Sequence, residues 1–161
     1  MSLSKEIFNK NIRRNDKYRP VVDLLVYGLL NEKKKSDIKI FSDIKDLIIF
    51  AAMVGKKYER KQDVDKKENT GIIMGTFAGS GSGKRSRVDQ HNIIFMFGLI
   101  VFQDMNYMRD ENVDEVIAVF EKYSNGGLEV IEEWLIESGW NSLCLLEKVI
   151  DEIKTENDSG M

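Results

Sequence analysis

The sequence predicts a mainly α fold: a single compact domain of about six helices around a buried central helix, with at most a small two-stranded β ribbon. Three observations carry that expectation. Apolar residues recur at helical spacing through most of the chain, and the run from Ile93 to Phe102 is apolar on every side, so a helix there must be surrounded. Strand-like alternation is confined to two short stretches, 38–41 and 72–77. At 161 residues and 42% hydrophobic content, the chain can bury one core without a second domain.

Residues 1–18 are basic and polar, with Phe8 and Ile12 as scattered apolar anchors, and read as a flexible arm ahead of a helical domain over 19–154. Pro20 suits a first helical turn, and Val21, Leu24, Leu25, Gly28 and Leu29 continue a helix to the Lys33-Lys34-Lys35 run, whose charges would offset the dipole. Ile38 and Ile40 alternate with Lys39 in a short strand, and Ser42 is placed to cap the next helix. That helix carries Ile44, Leu47, Ile48, Ala51 and Ala52 on one face and is expected to end at Gly55. A polar loop from Lys56 to Asn69 follows, and 72–77 would pair with 38–41.

The stretch from Asn92 to Phe102 is the expected central helix. Asn112 and Glu115 resemble a capping box for a fourth helix bearing Val113, Val116, Ile117, Phe120 and Tyr123, which Asn125-Gly126-Gly127 would break. Leu128, Ile131, Trp134 and Leu135 mark a fifth helix to Gly139, and Leu143, Leu146, Ile150 and Ile153 a sixth. Residues 155–161 read as a frayed tail.

Charge divides the chain. Through Phe102 there are 20 Lys and Arg against 12 Asp and Glu, a net of +8; from Gln103 onward there are 4 against 15, a net of −11. Such asymmetry points to an anionic partner, nucleic acid among them, for the first half. The longest apolar run is about half of what spans a bilayer, and the first residues carry no apolar signal core, so no membrane role is expected. The single Cys144 fits a reducing cytoplasm and, on an apolar helix face, an unreactive thiol.

Between the ribbon and the central helix, Gly79-Ser80-Gly81-Ser82-Gly83-Lys84 has the glycines and lysine of a phosphate loop. It departs from the pattern at Ala78, where glycine is required, and at Arg85, where a Ser or Thr would hold magnesium. The better functional reading is a mobile basic loop that sets Lys84, Arg85 and Arg87 on a phosphate backbone. His91 has no companion base or nucleophile in the sequence and reads as structural. Glu129, Glu132, Glu133 and Glu137 form a solvated helix face able to receive a basic partner, and Trp134 and Trp140 read as core or subunit contacts. No catalytic residue, metal-ligand set or cofactor emerges.

The string Phe120-Glu-Lys-Tyr-Ser-Asn-Gly-Gly-Leu-Glu-Val-Ile-Glu-Glu-Trp-Leu135 resembles the C-terminal signature of the small proteins known as the fourth type of Dnd system-associated protein. Leu47-Ile-Ile-Phe-Ala-Ala-Met-Val-Gly55 is similar to an earlier block of that family, so the resemblance covers Pro20 to Trp140. It implies an accessory role near DNA phosphorothioation and the restriction that depends on it, and no catalytic residues. Its signature positions are Phe120, Tyr123, Asn125, Gly126, Gly127 and Leu128.

Together these readings favour a non-enzymatic accessory protein that contacts DNA, or a DNA-bound partner, through Lys56, Lys57, Arg60, Lys61, Lys84, Arg85 and Arg87. Such contacts would fall mostly on phosphates, indifferent to base sequence and sensitive to salt. Two rivals stand beside it: a protein-binding adaptor using the acidic C-terminal helices, and a nucleotide-binding enzyme using 79–86. No feature of the sequence sets an oligomeric state.

Overall fold

A computed structural model of the chain describes residues 4–34, 39–78 and 90–160. In order they form α1 (Lys5–Phe8), β1 (Asn11–Asn15), α2 (Arg19–Tyr27), β2 (Leu29–Leu30), β3 (Lys33–Lys34) and α3 (Ile44–Lys57). Then come β4 (Asn69–Ile73), α4 (Met74–Phe77), α5 (His91–Phe102), α6 (Val113–Glu137) and α7 (Cys144–Ser159). The architecture is mainly α, as the apolar periodicity predicts, with two small antiparallel ribbons among the described residues, β1 with β4 and β2 with β3.

A buried helix does organise the core, but it is α6 and not the apolar 92–102 stretch. At 25 residues α6 is the longest element, and Val116, Phe120, Ser124, Leu128, Ile131 and Leu135 along it are fully enclosed. Its main partner is α3, which contributes Leu47, Ile48, Ala51 and Ala52. By contrast α5 buries Ile94, Phe95, Phe97 and Gly98 on one side and leaves Met96 and Ile100 more than half exposed on the other. An all-apolar helix is surrounded only where the chain has a layer to lay over it, and no described element covers that side.

The expected break at Asn125-Gly126-Gly127 is absent, and α6 runs straight through it. The glycines serve helix packing, not chain reversal. A Cβ on Gly127 would stand 1.6 Å from the carbonyl oxygen of Ala51, and one on Gly55 2.0 Å from that of Tyr123, so α3 and α6 cross backbone to backbone. Gly55 therefore lies inside α3 and does not end it, and the helix continues to Lys57.

The ribbon also has a different partner. Strand β4 pairs with β1, in the register Asn11↔Ile73 to Asn15↔Asn69, and not with 38–41. Ile38 lies outside the described residues, and 39–41 form no strand. Residues expected in a flexible arm thus carry a buried Ile12 and a buried Asn15. Only one of the five β1 residues is apolar, so alternation does not reveal it; the polar anchoring to α6 described below holds it.

Smaller differences follow from capping chemistry. Helix α2 stops at Gly28, left-handed with φ 69°, and Lys33 and Lys34 sit in a hairpin with Leu29 and Leu30 instead of at a helix end. Asp43, not Ser42, is the N-cap of α3, and Asn112 caps α6 without a side-chain bond to its first turn. Helix α7 continues to Ser159 through most of the expected tail. Among the described residues, no helix is long and apolar enough to cross a membrane.

Candidate functional site

The basic residues singled out between α3 and β4 come together, and so do their counter-ions. Lys56 and Lys57 close the last turn of α3, with Arg60 and Lys61 just beyond. Lys56 Nζ lies 2.5 Å from Glu59, Lys57 Nζ 2.8 Å from Glu156 and 3.4 Å from Glu152, and Arg60 3.1 Å from both Glu129 and Glu133. Lys61 Nζ sits 5.1 Å over the Tyr123 ring. The two charge-opposed halves of the sequence therefore neutralise one another along the α3–α6–α7 edge. Lys84, Arg85, Arg87 and the 79–86 loop lie outside the described residues.

Titration follows the pairing. The ammonium of Lys56 draws the Glu59 carboxyl below its ordinary range. Glu152 is lowered first by the hydrogen bond from the Tyr58 hydroxyl and then by Lys57. Tyr58 itself is pushed up to about 12, by burial and then by that carboxylate. Glu133 raises Arg60 further above its usual value. Exposed pairs of this kind are screened by solvent and contribute little to stability. Their consequence is local: a phosphate approaching Lys57 or Arg60 would meet two carboxylates at each.

The signature residues lie inside. Phe120 and Tyr123 stack their edges on Phe97 with centroids 5.5 Å away, and Leu128 is fully buried. A Cβ on Gly126 would stand 2.1 Å from the Arg60 carbonyl oxygen, so that glycine admits the chain leaving α3. Asn125 Oδ1 accepts from the Asn15 backbone N–H at 2.8 Å, and its Nδ2 donates to the carbonyls of Arg13 and Glu121. Nearby, Glu121 takes three bonds from Arg13, from the backbone N–H, Nε and Nη2, at 2.7–3.2 Å. The string that carries the family resemblance thus fixes β1 and α3 to α6, which is an architectural task.

Two surface features remain. The first is an apolar groove of about 440 Å³ between α3 and α5, formed chiefly by Met53, Ile93, Met96 and Ile100. Met53 and Lys57 also line a second groove of about 200 Å³, walled by Trp134, Val149 and Ile153, so the surface continues onto α7. Met53, Met96 and Ile100 are 52%, 53% and 58% exposed, and Leu146, Ile150 and Ile153 of α7 are equally open. Sequence periodicity puts these residues in the core. The available signal was the absence of any polar face to pair with, which marks a helix side awaiting cover. The second feature is a polar cleft of about 660 Å³ where β1 meets α2, with Arg14, Lys17 and Arg19 on one part and Asp16, Asp23 and Glu68 on another.

Among the described residues, no group of three or more His, Cys, Asp or Glu is arranged to hold a metal ion. Cys144 is buried and free, as its apolar neighbours suggest. The model of the family described as DNA sulphur modification system-associated protein 4 matches residues 21–160. No curated protein and no solved structure matches the chain.

Proposed function

The chain belongs to the DNA sulphur modification system-associated protein 4 family, and from that membership we propose that it is a non-enzymatic accessory that docks on another protein of such a system. The observation that carries the reading is the open apolar surface running from Ile100 and Met96 of α5 across Met53 of α3 to Ile153 of α7. Contiguous apolar surface of this kind costs solubility unless something covers it. Burying a half-exposed Met or Ile completely yields about 1 kcal/mol, so Met53, Met96, Ile100 and Ile153 together supply about 4 kcal/mol before the costs of association.

Charge specifies the occupant. The exposed row on α7 is flanked by Glu147 and Asp151, whereas Glu152 is already engaged by Tyr58 and Lys57, so the partner surface is apolar at its centre and carries lysine or arginine opposite Glu147 and Asp151. The pairing of Lys56, Lys57 and Arg60 inside the molecule supports a protein partner over DNA on this edge.

Co-expression with the other proteins of the modification system, followed by affinity purification, tests the reading. A member of the system should co-purify with the parent chain and be lost from Ile100→Asp, by more than about tenfold in affinity, because a carboxylate would be buried at the contact. Ile73→Asp, an exposed apolar position lining neither groove, should retain it. Unchanged recovery with Ile100→Asp, or equal loss with both, would contradict the proposal. So would a purified chain whose self-association depends on Ile100, since a second copy would then be the cover.

A further inference from the structure

Arg14 is the one arginine of β1 that points away from the α6 anchor, and among the described residues its side chain has neither a hydrogen bond nor an ion pair. Arg13 beside it is fully committed to Glu121. Arg14 instead lines the polar cleft, on whose wall the first turn of α2 begins with Arg19. The N-cap of that turn, Tyr18, makes no side-chain cap bond, and a 3-10 turn over Asp16–Tyr18 leads directly into it.

None of the other groups of the cleft hydrogen-bonds the Arg14 side chain. Asp16 accepts from the Thr70 hydroxyl, and its backbone N–H donates to the Glu68 carbonyl at 3.0 Å. Asp23 faces Arg19 Nε at 3.8 Å, beyond hydrogen-bond reach. Lys17 lies 5.1 Å over the Tyr18 ring. Burial drives the Arg14 guanidinium below the usual arginine value, and although Asp16, Tyr27 and Asp23 counter the shift, it stays lowered, with Arg19 adding to it. A planar five-donor group is thus held partly dehydrated with no hydrogen-bond acceptor among the described residues, a costly arrangement unless an acceptor arrives.

We infer that this cleft receives a phosphate-class oxyanion, a monoanionic phosphodiester of a DNA backbone, with Arg14 as the two-pronged donor at its floor and Lys17 and Arg19 at its mouth. Arginine's fork matches two phosphate oxygens. The balance of three cations with three carboxylates selects against higher charge: a dianionic or trianionic phosphate would be repelled by Asp16, Asp23 and Glu68, whereas a diester carries one charge spread over two oxygens. The inference stands apart from the docking reading, since the cleft and the apolar surface share no lining residue.

Fluorescence anisotropy of a labelled duplex with the full chain, at two salt concentrations, is the test. The parent should bind with strong salt dependence, Arg14→Ala should bind at least tenfold more weakly, and its log K against log salt should be shallower by about 0.9, the value of one phosphate contact. Arg14→Lys should recover only part of the loss, because a point charge lacks the fork. The melting temperature of Arg14→Ala should be unchanged or raised, since an unpaired guanidinium is removed; a fall would mean that Arg14 supports the fold and would overturn the inference. Equal affinity of parent and Arg14→Ala would overturn it too. Inorganic phosphate is the second arm: millimolar phosphate that protects the parent against heat while DNA fails to bind would assign the cleft to a small ligand and refute the diester. The docking reading is read out by co-purification, so either can fail alone.

Discussion

Replacing Gly127 by alanine puts two physical effects in opposition. Alanine is the better helix former by about 1 kcal/mol in a helix interior, so propensity alone predicts a more stable protein. In the fold, the added Cβ would stand 1.6 Å from the Ala51 carbonyl oxygen, where ordinary contact begins at 3.4 Å. Helices α3 and α6 must then separate locally by about 1.8 Å, the difference between those two distances. The obstacle is backbone, which cannot rotate aside, and the helix pair holds much of the core, so the cost should reach or exceed the upper end of overpacking, about 3 kcal/mol. The net is a loss of about 2 kcal/mol or more, which for a domain of this size lowers Tm by about 4–8 °C. Urea and thermal unfolding followed by circular dichroism measure it. Gly139→Ala is the comparison: nothing lies within 4 Å of its Cβ, and it should lose only the roughly 1 kcal/mol that φ +69° imposes on alanine. A Gly127→Ala protein as stable as the parent would refute the close crossing.

Asn125→Ala removes the acceptor of the Asn15 N–H and the donor to two carbonyls in a buried site, and should cost about 1–3 kcal/mol by denaturant titration, with α6 still helical. For acid, the signs are set by depressed carboxyls: Asp65, lowered by the backbone N–H groups of Lys67 and Glu68, and Glu152, lowered by Tyr58 and Lys57. Groups held low stabilise the fold above their ordinary values of 3.8 and 4.5 and lose that contribution as pH falls through the folded values. The Tm deficits of Asp65→Ala and Glu152→Ala at neutral pH should therefore shrink towards pH 3; deficits independent of pH would contradict the assignment.

Much of the helical architecture was legible because helical spacing is a local property that burial only confirms. The face of α3, the first turn of α2 at Pro20 and the stop near Gly139 are cases. What failed depended on partners distant in sequence. Asn125-Gly126-Gly127 has the residues of a helix stop, and nothing local distinguishes a glycine that reverses a chain from one that admits another helix; Ala51 and Gly55, some seventy residues earlier, decide it. Strand β1 was hidden because its stability comes from Glu121 and Asn125, not from its own alternation. The basic pair Lys57 and Arg60 was visible, but its compensation by Glu129, Glu133, Glu152 and Glu156 appears only when α6 and α7 are folded beside it. The apolar run of α5 was legible as a helix but not as a helix with one side uncovered.

Hydrogen–deuterium exchange on the chain alone and in complex with the protein of its modification system that co-purifies bears most directly on the docking account. Docking at the apolar surface predicts slower exchange in α5, in the second half of α3 and along α7, with β1 and the start of α2 unchanged. Protection confined to β1 and α2, with α5 and α7 exchanging as in the free chain, would contradict it.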